Sequence, residues 1–271
     1  MKQPSILVFI PMYNCEKQIT RVLAKFNEGI QSLFSEILAV DNGSKDRTLD
    51  AAEKALKNLK QIKTTLVQNI DNYNLGGSHK VAFNYALTHN YDYVVVLHGD
   101  DQGSVEDLVP YIKNGEYQNY DSILGARFMR GSKLVGYSLI RILGNWGLNA
   151  FCSMTTGRWV ADMGSGLNMY KTSYLKDKFY LYFPNTLAYN VYMLFYGIYT
   201  KSNFKFFPLT WREEDQVSNA KIFDVGYKIL KLIMIYIFQR KQLFSREPNQ
   251  FSVVEYKSRT VFQQEACVKA S

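Results

Sequence analysis

A polar cluster with the sequence HGDDQ, residues 98–102, directly follows the most strand-like apolar segment of the chain, residues 93–97. Oxygen-rich groups in a tight turn suit Mg²⁺ or Mn²⁺, which keep water ligands and share phosphate oxygens with a substrate. The imidazole of His98 is more compatible with Mn²⁺ than with Mg²⁺. The other interpretation is a turn whose carboxylates only begin the next helix, because Asp is favoured near a helix N-terminus.

Two further polar clusters also follow apolar segments. Residues 11–14 (PMYN) come after 6–10, and residues 41–44 (DNGS) come after 37–40. In an open parallel sheet, ligands bind beyond the carboxyl ends of the strands. We therefore expect the three clusters to meet at one rim of a sheet, which favours a shared binding site over three unrelated turns.

Strands and helices must alternate to produce that rim, and the hydrophobic pattern predicts this order. The predicted strands cover 6–10, 37–40, 64–68, 93–97 and 122–125, and the predicted helices cover 16–26, 46–59, 78–88 and a segment that carries 108–112. Such alternation indicates βαβ units and a mainly parallel sheet with helices on both faces. The less regular second half has an aromatic helix at 187–199, a strand at 204–209, an apolar segment at 229–238 and a peripheral tail after Arg246.

The composition is that of a basic globular protein, with 47% hydrophobic residues, 21% charged residues and a formal net charge of +8. This balance excludes a disordered or collagen-like chain. A basic surplus favours polyanions such as diphosphates, nucleic acid or anionic lipids. No predicted helix carries a dense Lys/Arg face, so we expect no nucleic-acid partner. Three scattered cysteines indicate a reducing compartment, and neither a secretory signal nor a membrane-spanning segment is expected.

Several common catalytic motifs are absent from the sequence. There is no G-x-x-x-x-G-K-[ST] loop, no G-x-G-x-x-G after the first strand, no H-E-x-x-H and no G-x-S-x-G. P-loop hydrolysis, dinucleotide-dependent redox chemistry, zinc chemistry and hydrolysis by a nucleophile elbow therefore lack their usual signatures. The polar clusters at the rim are what remains to explain the function.

The order and spacing of four segments resemble those of family 2 glycosyltransferases, which are inverting enzymes of the GT-A fold. The segments are FIPMYN at 9–14, VDNGS at 40–44, LHGDDQ at 97–102 and GARF at 125–128. The branch that makes dolichol- and polyprenyl-phosphate sugars is the most similar. Further matches to that branch are Arg141, DMGSGLN at 162–168, and Trp211-Arg212 with Ser218, so the resemblance covers about residues 5–231.

This resemblance implies an α/β fold with a GT-A (Rossmann-like), mostly parallel central sheet, helices on both faces and a mixed acceptor-side C-terminal region. We expect a glycosyltransferase domain at 1–230, with a nucleotide-sugar half at about 1–127 and an acceptor half at about 128–230. Residues 231–271 would form an amphipathic helix and a peripheral tail. The apolar face of that helix could lie on a membrane without spanning it, and a buried helix explains the pattern equally well.

The resemblance also implies a donor-binding set. Its members are Pro11, Tyr13, Asn14, Asp41, Asn42, Ser44, Lys80, Asp100 and Asp101. The first three would line the nucleotide pocket, and Asp41 would accept hydrogen bonds from the base, with Asn42-Gly43-Ser44 shaping the turn. Lys80 would contact the nucleotide or its phosphates, and a solvated helix lysine is the alternative for this residue.

The metal ligands that the resemblance implies are Asp100, Gln102 and His98. The family usually has Asp-x-Asp here, and His98 stands in place of the first carboxylate. Mg²⁺ or Mn²⁺ is the expected cofactor, held with one formal negative charge fewer. His98 could instead donate to a diphosphate oxygen or be a core histidine.

The predicted mechanism of sugar transfer follows from the negative charge on the leaving nucleoside diphosphate. Breaking the bond between a sugar and a nucleoside diphosphate builds negative charge on the leaving group, which cations stabilise. The predicted catalytic residues are Asp100, Asp162 and Arg127. A lipid phosphate is already ionised and needs no strong base, and Arg127, Arg141 and Arg212 could hold it or the leaving diphosphate. Each of these arginines could equally belong to a surface ion pair. A hydroxyl acceptor needs a base, which would be Asp162.

The sequence therefore predicts an inverting, metal-dependent glycosyltransferase that moves a sugar from a nucleoside-diphosphate donor to polyprenyl phosphate. It would act in the cytoplasm, with peripheral contact to the cytoplasmic face of a membrane, in the synthesis of cell-envelope glycans. Two alternatives stay open, namely transfer to a hydroxyl of a surface glycan and a nucleotide-sugar-binding protein without turnover.

Overall fold

Strands and helices alternate through the first half of the chain in the computed structural model, which describes residues 3–213, 222–245 and 255–267. The strands are β1 (Ile6–Met12), β2 (Glu36–Asp41), β3 (Lys63–Asn69), β4 (Tyr93–Leu97), β5 (Ser122–Ala126), β6 (Lys133–Val135), β7 (Leu167–Lys171), β8 (Phe204–Pro208), β9 (Thr210–Arg212) and β10 (Ser258–Gln264). The helices are α1 (Glu16–Ala24), α2 (Glu28–Gln31), α3 (Thr48–Leu56), α4 (Asn74–Thr88), α5 (Val109–Lys113), α6 (Leu139–Thr156), α7 (Thr172–Leu175), α8 (Tyr189–Tyr199) and α9 (Ile222–Leu243). Short 3₁₀ segments lie at Val105–Asp107, Glu116–Asn119 and Phe179–Tyr182.

The described part of the chain has one large sheet, with the strand order β10-β3-β2-β1-β4-β7-β5-β8. The four strands β3, β2, β1 and β4 are parallel neighbours, whereas β7 runs antiparallel to both β4 and β5. A separate small sheet pairs β6 with β9 in parallel. The prediction of an α/β fold with a mostly parallel sheet is confirmed.

The central strand β1 is buried on both faces because every residue of its sequence, ILVFIPM, is apolar. Leu7 and Phe9 belong to a hydrophobic cluster that includes α4, and Ile6, Val8 and Ile10 belong to a second cluster that includes α1 and α3. Helices therefore cover both faces of the sheet. Because a one-residue slip would exchange the two faces, this burial fixes the place where the loop after β1 emerges.

Two strands of the large sheet lie where the sequence predicts none. β7 inserts between β4 and β5, directly after the turn at 162–166. β10 pairs antiparallel with β3 and forms an edge of the sheet. The tail that was expected to be peripheral therefore contributes a strand. Most residues of β10 are exposed, and a mostly exposed edge strand leaves no clear hydrophobic alternation in the sequence.

Helix α9 runs across the expected domain boundary, which the sequence analysis places after residue 230. It contacts α6 and α8, and its Leu232, Ile233 and Tyr236 are buried in the cluster that also contains α4. One helix, Ile222–Leu243, therefore includes that position. The helical backbone is interrupted at Gln239, whose φ is −134°. Among residues 3–213, 222–245 and 255–267, no helix is both long and apolar enough to traverse a bilayer.

Candidate active site

Hydrogen bonds join the loops that follow β1 and β2. The backbone N–H of Asn14 donates to Ser44 Oγ over 3.0 Å, and the N–H of Lys45 donates to Asn14 Oδ1 over 2.8 Å. The N–H of Asn42 donates to the Met12 carbonyl over 2.9 Å. Asn14 has a left-handed backbone with a φ of 50°, which asparagine adopts more readily than most residues. Asn14, Asn42 and Ser44, all predicted to bind the donor, therefore lie together.

The loop after β4 closes against the loop after β1. The N–H of Gly99 donates to the Pro11 carbonyl over 3.0 Å, and a Cβ atom at Gly99 would lie 3.0 Å from the same oxygen. A larger residue would press on this contact, so glycine permits the close approach of the two backbones. Tyr13 lies in the same loop and keeps 47% of its surface exposed. The structure thus brings the three polar clusters to one rim of the sheet.

Asp41 is fully buried and organises the turn that follows β2. Its carboxylate accepts hydrogen bonds from the N–H of Gly43 over 3.2 Å and from the N–H of Ser44 over 3.3 Å. It also accepts a hydrogen bond from Gln68 Nε2 over 3.1 Å. Arg259 donates to Gln68 Oε1 from Nη2 over 2.7 Å and from Nε over 3.1 Å. A base can reach this carboxylate only if the Gln68 side chain or the turn gives way.

Asn42 connects the turn after β2 to the loop after β3. Its Nδ2 donates to Asn72 Oδ1 over 2.8 Å, and its Oδ1 accepts from Asn69 Nδ2 and from the N–H of Tyr73, each over 2.9 Å. The amide of Asn42 is therefore occupied by neighbouring protein groups. Its observed contribution is to hold a third loop at the rim.

The two adjacent aspartates of the acidic cluster have different surroundings. Asp100 accepts one hydrogen bond, from the N–H of Gln102 over 3.2 Å, and has no ion pair within the described residues. Asp101 has a φ of 61° and accepts from Arg21 Nε over 2.7 Å and from Lys25 Nζ over 2.5 Å. Burial raises the pKa of Asp101, but these two cations outweigh it and the net pKa is lowered. Asp101 is thus held against α1, while Asp100 is available.

His98 lies directly behind Asp100, against the backbone of Gly166. The backbone N–H of His98 donates to the Gly166 carbonyl over 3.0 Å. A Cβ atom at Gly166 would collide with the imidazole at 2.8 Å. The ring Nε2 is buried and has no hydrogen-bond partner in the described part of the chain. Burial lowers the pKa of His98, the charge of Arg127 lowers it further, and Asp100 opposes both effects, so the net pKa is lowered. A neutral imidazole with an unsatisfied nitrogen is the result.

The groups around Asp100 suit a divalent cation that takes part of its coordination from a substrate. Within the described residues, no three or more His, Cys, Asp and Glu side chains converge as a complete metal site. Asp100 and Gln102 could supply oxygen donors, and His98, two residues before Asp100, has a ring Nε2 without a hydrogen-bond partner among the described residues. Mg²⁺ and Mn²⁺ commonly bind through one or two carboxylates together with substrate phosphates and water. The donor set therefore fits a cation that a diphosphate helps to hold.

Arg127 and Asp162 form a buried ion pair beside this cluster. Arg127 Nε lies 2.7 Å from Asp162 Oδ2, and Arg127 Nη2 lies 2.8 Å from Asp162 Oδ1. The backbone N–H groups of Arg127 and Gly164 also donate to this carboxylate, over 2.9 and 3.0 Å. Burial lowers the pKa of Arg127, but the charge and hydrogen bonds of Asp162 raise it by more. Asp162 therefore has its acceptor positions occupied, which disfavours its predicted role as a general base.

The other two predicted arginines lie near this pair, on the acceptor side. Arg141 forms a bidentate ion pair with Glu213, with 2.9 Å between Nη2 and Oε1, and its guanidinium carbon lies 4.3 Å from the centre of the Tyr137 ring. The N–H of Arg212 donates to the Gln102 carbonyl over 2.9 Å, and this contact joins the acceptor side to the acidic cluster. The Arg212 side chain is exposed and has no ion-pair partner among the described residues.

The structure does not bring Lys80 to the rim with the other predicted donor-binding residues. Lys80 is buried, and its Nζ donates to the Phe183 carbonyl over 2.5 Å and to Tyr256 Oη over 3.1 Å. Tyr256 in turn donates to Asn185 Oδ1 over 3.0 Å. Neither interpretation from the sequence, a phosphate ligand or a solvated lysine, matches these contacts. Lys80 instead ties the C-terminal segment to the core.

The buried position of Lys80 predicts a pH dependence of stability. Burial lowers the pKa of Lys80 from its ordinary value of 10.5 to about 8. Between these two pH values the unfolded chain holds more of this proton than the folded chain, so the free energy of unfolding rises with pH through this window. Below about pH 8 the cost of burying the charge is complete.

We expect Lys80→Met to lose this rise in stability. The measurement is urea unfolding of wild type and variant at several pH values across the window, with the difference between the two proteins plotted against pH. Taking the difference cancels the other titrating groups, including the buried tyrosines. A difference that does not change with pH would contradict the prediction.

Three residues that shape the site were missed from the sequence. Gln68 and Arg259 support Asp41, and Glu213 pairs with Arg141. The first two become neighbours only because β10 pairs with β3, with Arg259 opposite Gln68. Glu213 directly follows the Trp211-Arg212 segment. An acidic residue next to a predicted phosphate-binding arginine is the sequence signal that could have indicated an ion pair at this site.

The chain belongs to glycosyl transferase family 2, whose family model matches residues 7–179. The resemblance seen in the sequence is thereby confirmed. Similar proteins include the uncharacterized protein MJ1222 of Methanocaldococcus jannaschii, 29% identical over 243 residues that cover 88% of this chain and 95% of that protein. The UDP-N-acetylglucosamine--dolichyl-phosphate N-acetylglucosaminyltransferase of Methanococcus voltae is 26% identical over 190 residues, which cover 65% of this chain and 73% of that protein.

Solved structures share the fold. Glucosyl-3-phosphoglycerate synthase from Mycobacterium tuberculosis, in complex with Mn²⁺, UDP-glucose and phosphoglyceric acid, matches with a TM-score of 0.60 and 14% identity over 86% of this chain and 79% of that chain. TarS 1-349 from S. aureus matches with a TM-score of 0.54 and 20% identity, over 87% of this chain and 66% of that chain. These likenesses confirm the predicted GT-A fold.

Proposed function

We propose that this glycosyltransferase moves a sugar from a nucleoside-diphosphate donor to a polyprenyl phosphate, with inversion at the anomeric carbon. The observation that carries the proposal is the meeting of two sets of residues at one point. The loops after β1, β2 and β4 join at the rim, and the arginine-rich acceptor side is attached to the acidic cluster through the bond from Arg212 to Gln102. A donor diphosphate and an acceptor phosphate would therefore lie side by side.

The donor would bind at the rim where the loops after β1, β2 and β4 meet. Tyr13 offers an exposed ring on which a base can pack, and Asp41 fixes the turn at 42–44 next to it. Because Asp41 is buried behind Gln68, its direct contact with a base would follow a movement of that glutamine side chain. The side chains of Asp101 and Lys80 bind other protein groups, so we assign neither of them a direct contact with the donor.

Asp100 and Gln102, with His98 behind them, would hold Mg²⁺ or Mn²⁺ together with the diphosphate. The bound cation would neutralise the charge that develops on the leaving diphosphate. The chain's own contribution is to hold the Asp100 carboxylate in place through the Gln102 N–H, in a loop fixed by the contact of Gly99 with Pro11. A site fixed before the reaction needs no reorganisation in the transition state.

The acceptor side favours a phosphate over a hydroxyl. A hydroxyl nucleophile needs a base, and the predicted base Asp162 already accepts hydrogen bonds from Arg127 and Gly164. A phosphate nucleophile needs only to be positioned, and the exposed guanidinium of Arg212 suits bidentate phosphate binding. The similarity to a dolichyl-phosphate transferase supports the same class of acceptor. We place this activity on the cytoplasmic face of a membrane, and the free cysteines Cys15, Cys152 and Cys267 support the reducing compartment that this requires.

Transfer of radiolabelled sugar tests this proposal. The protein is mixed with labelled UDP- or GDP-sugars, Mn²⁺ and a short-chain polyprenyl phosphate in detergent, and the label is partitioned between water and organic solvent. We expect label in the organic phase that requires both the acceptor and the cation. Label transferred instead to water-soluble glycan acceptors would favour the hydroxyl alternative, and nucleotide-sugar binding without any transfer would favour a binding protein.

A further inference from the structure

Helix α6 carries an apolar face that points away from the protein. Leu139, Ile140, Leu143, Trp146 and Met154 each expose between 54% and 76% of their surface. On the opposite face, Asn149 and Cys152 are buried. The sequence of the helix, LIRILGNWGLNAFCSMTT, contains no acidic residue. Large apolar side chains concentrated on one exposed helical face mark an interaction surface rather than ordinary scattered exposure.

Helix α9 has a second exposed apolar stripe of the same kind. Tyr227, Leu230, Met234 and Phe238 follow one another at intervals of three or four residues and are all exposed. That spacing places them on a single helical face. The other face is already buried in the core through Leu232, Ile233 and Tyr236. The exposed stripe therefore lies on the side of α9 opposite the core.

The two stripes form one surface, which we call the α6–α9 face. Helices α6 and α9 are in contact, and both bury their inner sides in the same hydrophobic cluster, through Cys152 on α6 and Tyr236 on α9. Their outer sides therefore lie next to each other on the outside of the molecule. The exposed apolar side chains of the α6–α9 face thus belong to two helices that contact each other.

The charges around the α6–α9 face select its partner. Lys228 and Lys231 are exposed in α9 beside its apolar stripe, and Arg240 and Lys241 are exposed at its C-terminal end. Lysine is depleted in protein–protein interfaces, whereas basic side chains that flank an apolar helical face are typical of helices that lie on anionic membranes. Trp146, Tyr227 and Phe238 add the aromatic side chains that suit the membrane–water boundary.

The position of the face relative to the active site supports the same partner. Arg141, in the first turn of α6, stacks on Tyr137 and pairs with Glu213 on the acceptor side. The N-terminal end of α6 therefore lies next to the arginines proposed to hold the acceptor phosphate. We propose that the α6–α9 face docks on an anionic lipid bilayer and so places the acceptor side at the level of the lipid headgroups. This inference builds on the proposed lipid-phosphate acceptor, but its test uses membranes that contain none.

Sedimentation with lipid vesicles tests the docking proposal. Full-length protein is mixed with vesicles of phosphatidylcholine alone or with added phosphatidylglycerol, without nucleotide sugar or polyprenyl phosphate. We expect binding to the anionic vesicles that weakens with added salt, because the lysines contribute through screened charge. Leu143→Glu and Met234→Glu should each weaken binding about tenfold, since each removes one exposed apolar side chain that the bilayer would bury and adds a charge. Ile70→Glu, at an exposed apolar position in the loop after β3, is the matched control and should bind like wild type.

Other outcomes would overturn the proposal. Binding that the two α6–α9 variants and Ile70→Glu weaken equally would show that the face is not the docking site. Self-association in light scattering that Leu143→Glu abolishes, without any vesicle binding, would assign the face to a second copy of the chain. Transfer to a short-chain acceptor in detergent, which needs no bilayer, should persist in both face variants. Its failure in wild type would contradict the proposed function and leave the vesicle result standing on its own.

Discussion

Asp100→Asn is expected to lower the rate of sugar transfer by about a hundred- to a thousandfold, the usual cost of removing one preorganised group that stabilises transition-state charge. Asp100 is the aspartate of the acidic cluster that keeps a carboxylate free of ion pairs within the described residues. The substitution keeps the shape of the side chain and removes its charge. The measurement is kcat for the wild type and the variant with saturating donor and Mn²⁺, with thermal melting as the check on folding.

The neighbouring Asp101→Asn is the matched control for Asp100→Asn. Asp101 is held by Arg21 and Lys25, so its loss should lower stability by about 1.5–3 kcal/mol, as expected for hydrogen bonds to a charged group. Its kcat should stay close to that of the wild type. Equal losses of kcat in the two variants would contradict the different roles that the structure gives to these adjacent residues.

Removing one partner of the ion pair between Arg127 and Asp162 is expected to lower the free energy of unfolding by about 3–5 kcal/mol. Only 1% of the Asp162 side chain and 14% of the Arg127 side chain are exposed, so either single variant leaves a charge buried without its partner. Arg127→Met and Asp162→Leu are the single variants to compare. Urea unfolding at constant pH measures the effect.

The double variant Arg127→Met/Asp162→Leu separates a structural from a chemical role of this pair. Replacing both charges with apolar side chains removes the unpaired charge, so most of the stability lost in the single variants should return. If the pair also positions the acceptor site, transfer should stay impaired in this stable protein. A double variant as unstable as the two single losses added together would show that the two residues do not stabilise each other.

The sequence was sufficient to predict the core of the fold because its strongest signals are local. The continuous apolar runs of β1 and β4, each followed by polar loop residues, predicted both the parallel strands and the rim where the loops meet. β10 gave no comparable signal, since an exposed edge strand has neither an apolar run nor a clear alternation. Its place is set by pairing with β3, a long-range contact.

The candidate site was predicted less completely because the direction of a side chain depends on its distant neighbours. The order of residues places Asp101 beside Asp100, but Arg21 and Lys25 turn it toward α1. Lys80 lies on α4 as expected, yet its amine reaches Phe183 and Tyr256, which are far away in the sequence. Motif spacing fixed which loops meet, whereas tertiary contacts decide which groups remain free.

Ser218, included in the resemblance, lies outside the described residues.

Calorimetric titration of a nucleoside diphosphate tests whether the three loops at the rim hold a diphosphate through one cation at Asp100. UDP and GDP are each titrated into the wild type and into Asp100→Asn, with Mn²⁺ and with a chelator. At least one of the two nucleotides should bind the wild type about tenfold or more tightly with Mn²⁺, and Asp100→Asn should lose that gain. Tight nucleotide binding that responds neither to Mn²⁺ nor to the loss of Asp100 would contradict a diphosphate site bridged by a cation at Asp100.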